Sequence, residues 1–363
     1  MKPLTENAVL CAVKTLIDPL TGKPYIEPNA VQIVALNEQN LVLKVVLGYP
    51  ALSQISSIYQ IFETALVLFA GGRKITIQIK SQIMAHQAQR GLSLLPAIKN
   101  TIIVASGKGG VGKSTVAVNL ALALHLEGAK VGLLDADIYG PSLPLMLGLS
   151  GKNLPVSEGP LMQPLMAHGI EIVSIGLLVK SDQAMIWRGP MIAQALQQLL
   201  HSTAWGNLDY LVIDTPPGTG DILLTLAQKV PITGAIIVTT PQEIALNITA
   251  RGMTMLNKMN IPLLGFVENM AQHTCSQCGH VEHIFGQYHD QGLAQDAHFD
   301  KLGSLPLEAA IQAASDQGCP MVVANPDSPS ANIYRDMALR VAAKIAQMPR
   351  DFSSKLPKVT VRY

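Results

Sequence analysis

Two regimes of hydrophobic patterning divide the chain. Up to about residue 80 the apolar positions come in short runs of mixed period. Residues 6–17 carry them at helical spacing and predict a helix, closed by the Pro- and Gly-rich turn at 18–24. Strand-like runs follow at 31–36 and 41–47, then a helical stretch at 55–69 and an alternating strand at 74–79. The order α-β-β-α-β predicts a small α+β domain over residues 1–80. Residues 81–99 are polar with weak periodicity and predict a linker.

From residue 100 to 363 the pattern changes. Near-continuous apolar runs occupy 101–105, 130–134, 170–175, 210–213, 235–238, 263–267 and 302–305, with helical segments between most of them. Strands apolar on both faces belong to parallel sheets covered by helices. The alternation predicts an α/β domain built on a doubly wound, mostly parallel sheet. Ligands of such sheets bind at the carboxyl ends of the strands, and the polar motifs fall there.

The first of these ends reads Gly107-Lys108-Gly109-Gly110-Val111-Gly112-Lys113-Ser114-Thr115. It fits G-x-x-x-x-G-K-[ST] between a strand and a helix, which is the context a phosphate-binding loop needs. Its glycines let backbone N–H groups turn inward, and the following helix adds a partial positive charge. Lys113 is expected to reach the terminal phosphates of ATP, and Ser114 to ligate Mg²⁺. Lys108 is a second cation that an ordinary loop of this type does not require.

Other strand ends supply carboxylates. Asp135 and Asp137 stand one residue apart, a costly pair to bury without a partner. Asp137 is the candidate for orienting and activating the attacking water, with Asp135 behind it near the metal shell. The run Tyr210-Leu211-Val212-Ile213-Asp214 has the Walker B pattern, so Asp214 is expected to hold Mg²⁺ through water. The Pro216-Pro217-Gly218 turn is suited to sensing a γ-phosphate through the Gly218 N–H. Asn269, at the end of another strand, has an amide suited to the adenine edge.

Directly after that strand comes His273-Thr274-Cys275-Ser276-Gln277-Cys278-Gly279-His280. Two cysteines do not complete a tetrahedral site. Three readings are open: two chains donate a pair each to a bridging cluster; Cys275 and Cys278 bind zinc with His280 and His283; or the pair is a redox dithiol. A lysine directed out of the loop at Lys108 points the same way as the first, toward a homodimer. Cys11 and Cys319 read as isolated.

Bulk composition excludes several classes. Lys plus Arg is 26 and Asp plus Glu is 25, which gives no electrostatic case for a nucleic-acid or membrane-surface partner. No uninterrupted apolar run approaches about 18 residues, the first residues lack a signal-peptide layout, and the four cysteines do not form a secreted disulfide framework. The expectation is a cytoplasmic protein. The C-terminal tail has a proline in its middle and no basic amphipathic face of the kind that docks on membranes.

Taken together, the G-K-G-G-V-G-K-S loop, Asp-Ala-Asp-Ile-Tyr-Gly-Pro-Ser at 135–142, Trp187-Arg188-Gly189-Pro190-Met191, Asp-Thr-Pro-Pro-Gly-Thr-Gly-Asp at 214–221, Thr240-Pro241-Gln242 and Glu-Asn-Met followed by C-x-x-C closely resemble the Mrp/ApbC family. These are iron–sulfur cluster carriers of the MinD-like class of deviant P-loop ATPases. The likeness runs from about residue 100 to about 345. A weaker one, through residues 13–23, links the first 80 residues to the small domain often fused to bacterial members. The resemblance implies a homodimer in which Lys108 reaches the partner's nucleotide and a [4Fe–4S] cluster sits between two Cys275/Cys278 pairs. It further implies exchange with an assembly scaffold and apo-proteins, and slow Mg²⁺-dependent ATP hydrolysis. The chain departs from the family pattern in three places. It has no cysteine near 48–52, Glu243 replaces the usual aspartate, and 247–250 is uncharged. A positioning ATPase of the MinD/ParA type, with zinc at the C-x-x-C, is the rival.

Overall fold

Helix α1 (Glu6–Val13) starts at Thr5, whose hydroxyl accepts the Ala8 N–H at 3.3 Å. The helix expected over 6–17 stops at Val13 because the chain folds back on itself. The Asp18 N–H donates to the Lys23 carbonyl and the Tyr25 N–H to the Leu16 carbonyl, closing a turn through Gly22 at φ +65°. The structure is a computed structural model and describes residues 5–25, 30–89, 92, 94–138, 140–152, 161–177, 189–218, 221–287 and 300–351. Trp187, Arg188, Tyr139, Thr219, Gly220 and the tail from 352 lie outside the described residues.

Strands β1 (Val31–Leu36) and β2 (Asn40–Leu47) pair antiparallel, and helix α2 (Ile55–Ala70) crosses over to β3 (Lys74–Ser81), parallel to β2. Alternation along β2 turns Leu41, Leu43, Val45 and Leu47 inward, and α2 lays Ile58, Phe62, Leu66 and Ala70 on them at four-residue spacing. Gly71, at φ +57°, ends the helix in the left-handed conformation. The stretch Leu52–Ala70 is long and apolar enough to cross a membrane by length and composition. Run length does not reveal it, because Glu63 and other polar residues interrupt the sequence. Here its apolar face is spent on the small sheet.

The main unit runs β4 (Ile98–Ser106), α3 (Lys113–Leu126), β5 (Val131–Asp135), α4 (Leu143–Met146), β6 (Leu165–Ala167), β7 (Ile170–Ser174), α5 (Gly189–His201), β8 (Leu208–Asp214), α6 (Asp221–Lys229), β9 (Gly234–Thr239) and α7 (Glu243–Lys258). It continues through β10 (Leu263–Glu268), β11 (His273–Thr274), β12 (Val281–Glu282), β13 (Lys301–Ser304), α8 (Ala309–Asp316), α9 (Met321–Ala324) and α10 (Pro329–Ala346). Eight strands form one sheet in the order β13-β10-β9-β4-β8-β5-β7-β6, parallel throughout except for edge strand β6. The doubly wound α/β expectation is met. Strand β6 and the small antiparallel pair β11–β12 were not in the expected set.

Helix α3 is buried on nearly every side from Val116 to Leu124 because it lies between the sheet and α10. The two units share one core. Residues 84–89, in the expected linker, are tied down: the Asn100 side chain bonds His86 and the Met84 carbonyl. The buried Gln89 amide donates to the Ala227 and Val230 carbonyls and accepts the Ile232 N–H. At the far end of α3, the buried Glu127 carboxylate accepts the Ser53 N–H at 2.9 Å and the Arg335 Nε–H at 3.3 Å. A helix of the main unit thereby holds the turn that opens α2.

Candidate functional site

The loop from 107 to 112 joins β4 to α3, at the carboxyl edge of the sheet. Gly110 and Gly112 stand at φ +80° and +83°, a region that costs a side-chain-bearing residue strain. A Cβ at Gly112 would overlap the Asn269 amide, and one at Gly107 would come within 2.6 Å of Ile248 Cγ2 on α7. Gly112 also caps α3 without a side-chain bond, which keeps the first-turn N–H groups of the helix for an anion.

Five expected residues, Lys113, Ser114, Asp135, Asp137 and Asp214, converge behind the loop. Lys113 Nζ, 6 % exposed, donates to Asp214 Oδ1 at 2.5 Å and lies 4.0 Å from Asp137 Oδ2. Ser114 Oγ donates to Asp214 Oδ2 at 2.6 Å. Asp135 and Asp214 are register partners at the ends of neighbouring strands β5 and β8. Burial pushes the Asp135 carboxyl up to about 7, and the charge of Asp214 adds to the shift. Burial also raises Asp214, against the opposing pull of Lys113 and Ser114. Three carboxylates therefore face one buried ammonium. Ser114 Oγ and the Asp214 carboxylate, 2.6 Å apart, are the oxygen donors here that a divalent cation arriving with a nucleotide would take.

Two partners of this group escape sequence reasoning. Ser174 Oγ, at the end of β7, donates to Asp135 Oδ2 at 2.9 Å, and the Asp137 N–H donates to Asp135 Oδ1 at 3.1 Å. The signal for Ser174 was only its place at a strand end, which many serines share. Gly218, at φ +99°, is not an open donor: its N–H donates to the Ser106 carbonyl at 2.9 Å. A γ-phosphate would have to displace that bond. Lys108 is exposed on the loop, with its carbonyl held by Ser106 Oγ at 3.0 Å. Asn269 is buried rather than open, and its Nδ2 donates to the Val111 carbonyl at 2.8 Å. The amide thus braces the phosphate loop, a role the adenine expectation did not include.

The cysteines sit on an exposed hairpin. Strands β11 and β12 pair His273 with Glu282 and Thr274 with Val281, and the turn between them is closed by Cys275 N–H to the His280 carbonyl and Gly279 N–H to the Cys275 carbonyl, both 2.9 Å. Gly279 takes φ +72° there. Backbone N–H groups of Cys278 and Gln277 face the Cys275 sulfur and hold its thiol below the usual range, favouring the thiolate that ligates metal. Val281 and Ile284 lie exposed beside it. Among the described residues no group of three or more His, Cys, Asp or Glu side chains converges on a metal position. His283 turns Nδ1 toward the Ala271 carbonyl at 2.9 Å, which leaves Nε2 as its metal-ligating nitrogen, and it gathers with no such group. A local knuckle with His280 and His283 therefore has no geometric support.

Comparison with known proteins agrees with this geometry. The sequence model described as "NUBPL iron-transfer P-loop NTPase" matches residues 97–342, and that of an "iron-sulfur cluster assembly protein" matches residues 6–79. An "iron-sulfur cluster carrier protein" of Salmonella typhimurium is 47% identical over 317 residues, covering 87% of this chain and 86% of the relative. A nucleotide-binding protein of Archaeoglobus fulgidus, solved with ADP, superposes with a TM-score of 0.56 at 37% identity, over 65% of this chain and 91% of that one. The cell-division ATPase MinD of Pyrococcus furiosus shares the fold, with a TM-score of 0.51 at 24% identity, over 67% of this chain and 98% of its own.

Proposed function

The chain belongs to the NUBPL-type iron-transfer P-loop NTPases, and we propose that it carries a [4Fe–4S] cluster between the Cys275/Cys278 pairs of two copies and passes it to apo-proteins, binding and slowly hydrolysing ATP with Mg²⁺. One observation carries this reading. Two thiols, Cys278 exposed and Cys275 partly so, stand on a hairpin with no third ligand gathered around them among the described residues, so a four-ligand site is completed by a second copy. Transfer is then ligand exchange. Thiolates of the recipient replace those of Cys275 and Cys278 one at a time, and the cluster keeps its oxidation state throughout. No oxidant or reductant is needed.

The nucleotide site supports the companion activity. Lys113 exchanges Asp214 for the terminal phosphates, while loop N–H groups and the α3 N-terminus neutralise their charge. Ser114 and Asp214 would hold Mg²⁺, which would supply further neutralisation of the phosphate charge. Asp137 orients the attacking water and takes its proton as ADP and phosphate form. Lys108, exposed on the loop, supplies its cation to the nucleotide of the partner copy.

Anaerobic reconstitution with iron and sulfide tests the carrier role. About four iron and four sulfide per dimer are expected, with a visible charge-transfer spectrum that a Cys275→Ser/Cys278→Ser double variant loses. One zinc per chain without sulfide-dependent absorbance would reject the carrier reading in favour of a structural metal.

A further inference from the structure

The phosphate loop and the cysteine hairpin are joined by one short run of chain, 268–273, in which Glu268, Asn269, Ala271, Gln272 and His273 are hydrogen-bonded. At its start the Asn269 side chain holds the Val111 carbonyl at 2.8 Å, between the two left-handed glycines of the loop. The Asn269 N–H donates to the Thr239 carbonyl at the end of β9 at 2.7 Å, and the Glu268 carbonyl accepts the Leu305 N–H at 2.8 Å. The Glu268 carboxylate, 4 % exposed, accepts Ser304 Oγ at 2.7 Å. Met270 then takes φ +57°, a left-handed conformation unusual for its residue type. The Ala271 N–H donates to the Leu305 carbonyl at 2.9 Å, and the Gln272 carbonyl accepts the Leu307 N–H at 2.8 Å. Beyond it, His283 Nδ1 on the hairpin faces the Ala271 carbonyl at 2.9 Å, and His273 Nδ1 faces the Leu307 carbonyl at 3.0 Å. Carbonyls only accept, so both Nδ1 atoms carry protons.

We propose that Asn269 is the positioning residue that couples the nucleotide site to the cluster-carrying hairpin, acting through Ala271 and His283. This rests on the carrier reading above and says how its two halves communicate. The left-handed glycines on either side of Val111 make its peptide the part of the loop able to reorient when phosphates arrive. Among the described residues the side chain that donates to that carbonyl is the Asn269 amide. Reorientation of Val111 therefore pulls on or releases Asn269. Beyond Met270, the bonds of Ala271 and Gln272 to the chain at 305–307 carry the change to the hairpin, where His283 ties Ala271 to the segment that follows the second cysteine. Coupling of this kind is reciprocal: a cluster that fixes the hairpin must alter nucleotide affinity by the factor with which nucleotide alters the hairpin.

Hydrogen exchange of the full-length apo-protein, with and without saturating MgATP, tests the relay without any cluster. In the unaltered chain, amides of the hairpin from 273 to 284 are expected to change exchange rate by about fivefold or more on nucleotide binding. N269A, at nucleotide concentrations shown by calorimetry to saturate it, is expected to lose that response while its loop still becomes protected. H283A cuts the relay at its far end. It should bind MgATP as the unaltered chain does, yet show a hairpin response reduced to within about twofold of none. A hairpin that does not respond in the unaltered chain, or responds equally in both variants, overturns the relay. Failure here leaves the carrier reading intact if the cysteine pairs still load a cluster. Failure to load one rejects the carrier reading whatever the exchange shows.

Discussion

Asp135 is a carboxyl group held far above its ordinary range. Its carboxyl is fully buried, and burial with the neighbouring Asp214 raises it from 3.8 to about 7. Between those values the folded chain keeps a proton that the unfolded chain has released. Stability therefore falls as pH rises from about 4 toward 7, by an amount on the order of a few kcal/mol. Thermal unfolding of the nucleotide-free protein should show melting temperature dropping from about pH 4 to about pH 7, and D135N should flatten that slope. An identical slope in D135N would mean that other groups carry it. Bound MgATP brings cationic charge to the carboxylates and weakens the proton's hold, so nucleotide affinity should rise with pH over the same window. The polar centre was legible in the sequence where spacing fixed it: Lys113 and Ser114 follow the loop glycines, and Asp135 and Asp214 end apolar runs. Ser174 and the brace from Asn269 to Val111 were not. They are side-chain bonds 39 and 158 residues apart in sequence, and such contacts leave no local periodicity.

Elements repeat that contrast. Strands β4, β5, β7, β8, β9 and β10 of the main sheet announced themselves because they are buried on both faces. Strand β6 has three residues and β11 and β12 two each, too few to show a period, and all three pair antiparallel. Helix α1 ended early because a tertiary turn, not its own side chains, stopped it. The most consequential element is α3, whose N-terminus serves the phosphates and whose C-terminal Glu127 receives Ser53 and Arg335. Glu127 is wholly buried, so its removal strands an arginine and a backbone N–H together. E127A is expected to cost roughly 3–5 kcal/mol in urea unfolding. It should also raise hydrogen exchange at the start of α2, where the Ser53 N–H loses its carboxylate acceptor. E127Q keeps an acceptor for Ser53 and should lose less. Unchanged exchange around α2 in E127A would show that the shared apolar core alone seats the small unit.

At the scale of the whole molecule, both halves of the proposed activity are incomplete in one chain. The hairpin offers two thiols where a cluster takes four ligands. The loop carries, beside the buried Lys113, an exposed Lys108 with its backbone pinned by Ser106. A lysine so placed has its carbonyl fixed and its ammonium free to leave the loop's own surface. If it crosses to a second copy, nucleotide and cluster demand the same dimer, and a change at one is felt at the other through the carboxyl edge they share. K108A separates the contributions. It keeps Lys113, Ser114 and the loop glycines, so MgATP should bind to within about threefold of the unaltered chain. Its hydrolysis should fall by about a hundredfold or more, since charge delivered to the γ-phosphate in trans is worth that much in related chemistry. Light scattering with and without MgATP should show a nucleotide-dependent dimer in the unaltered chain and none in K108A before cluster loading. Equal dimerisation and equal hydrolysis in K108A would make Lys108 a solvated lysine, and the cysteine pairs alone would then hold the two copies together.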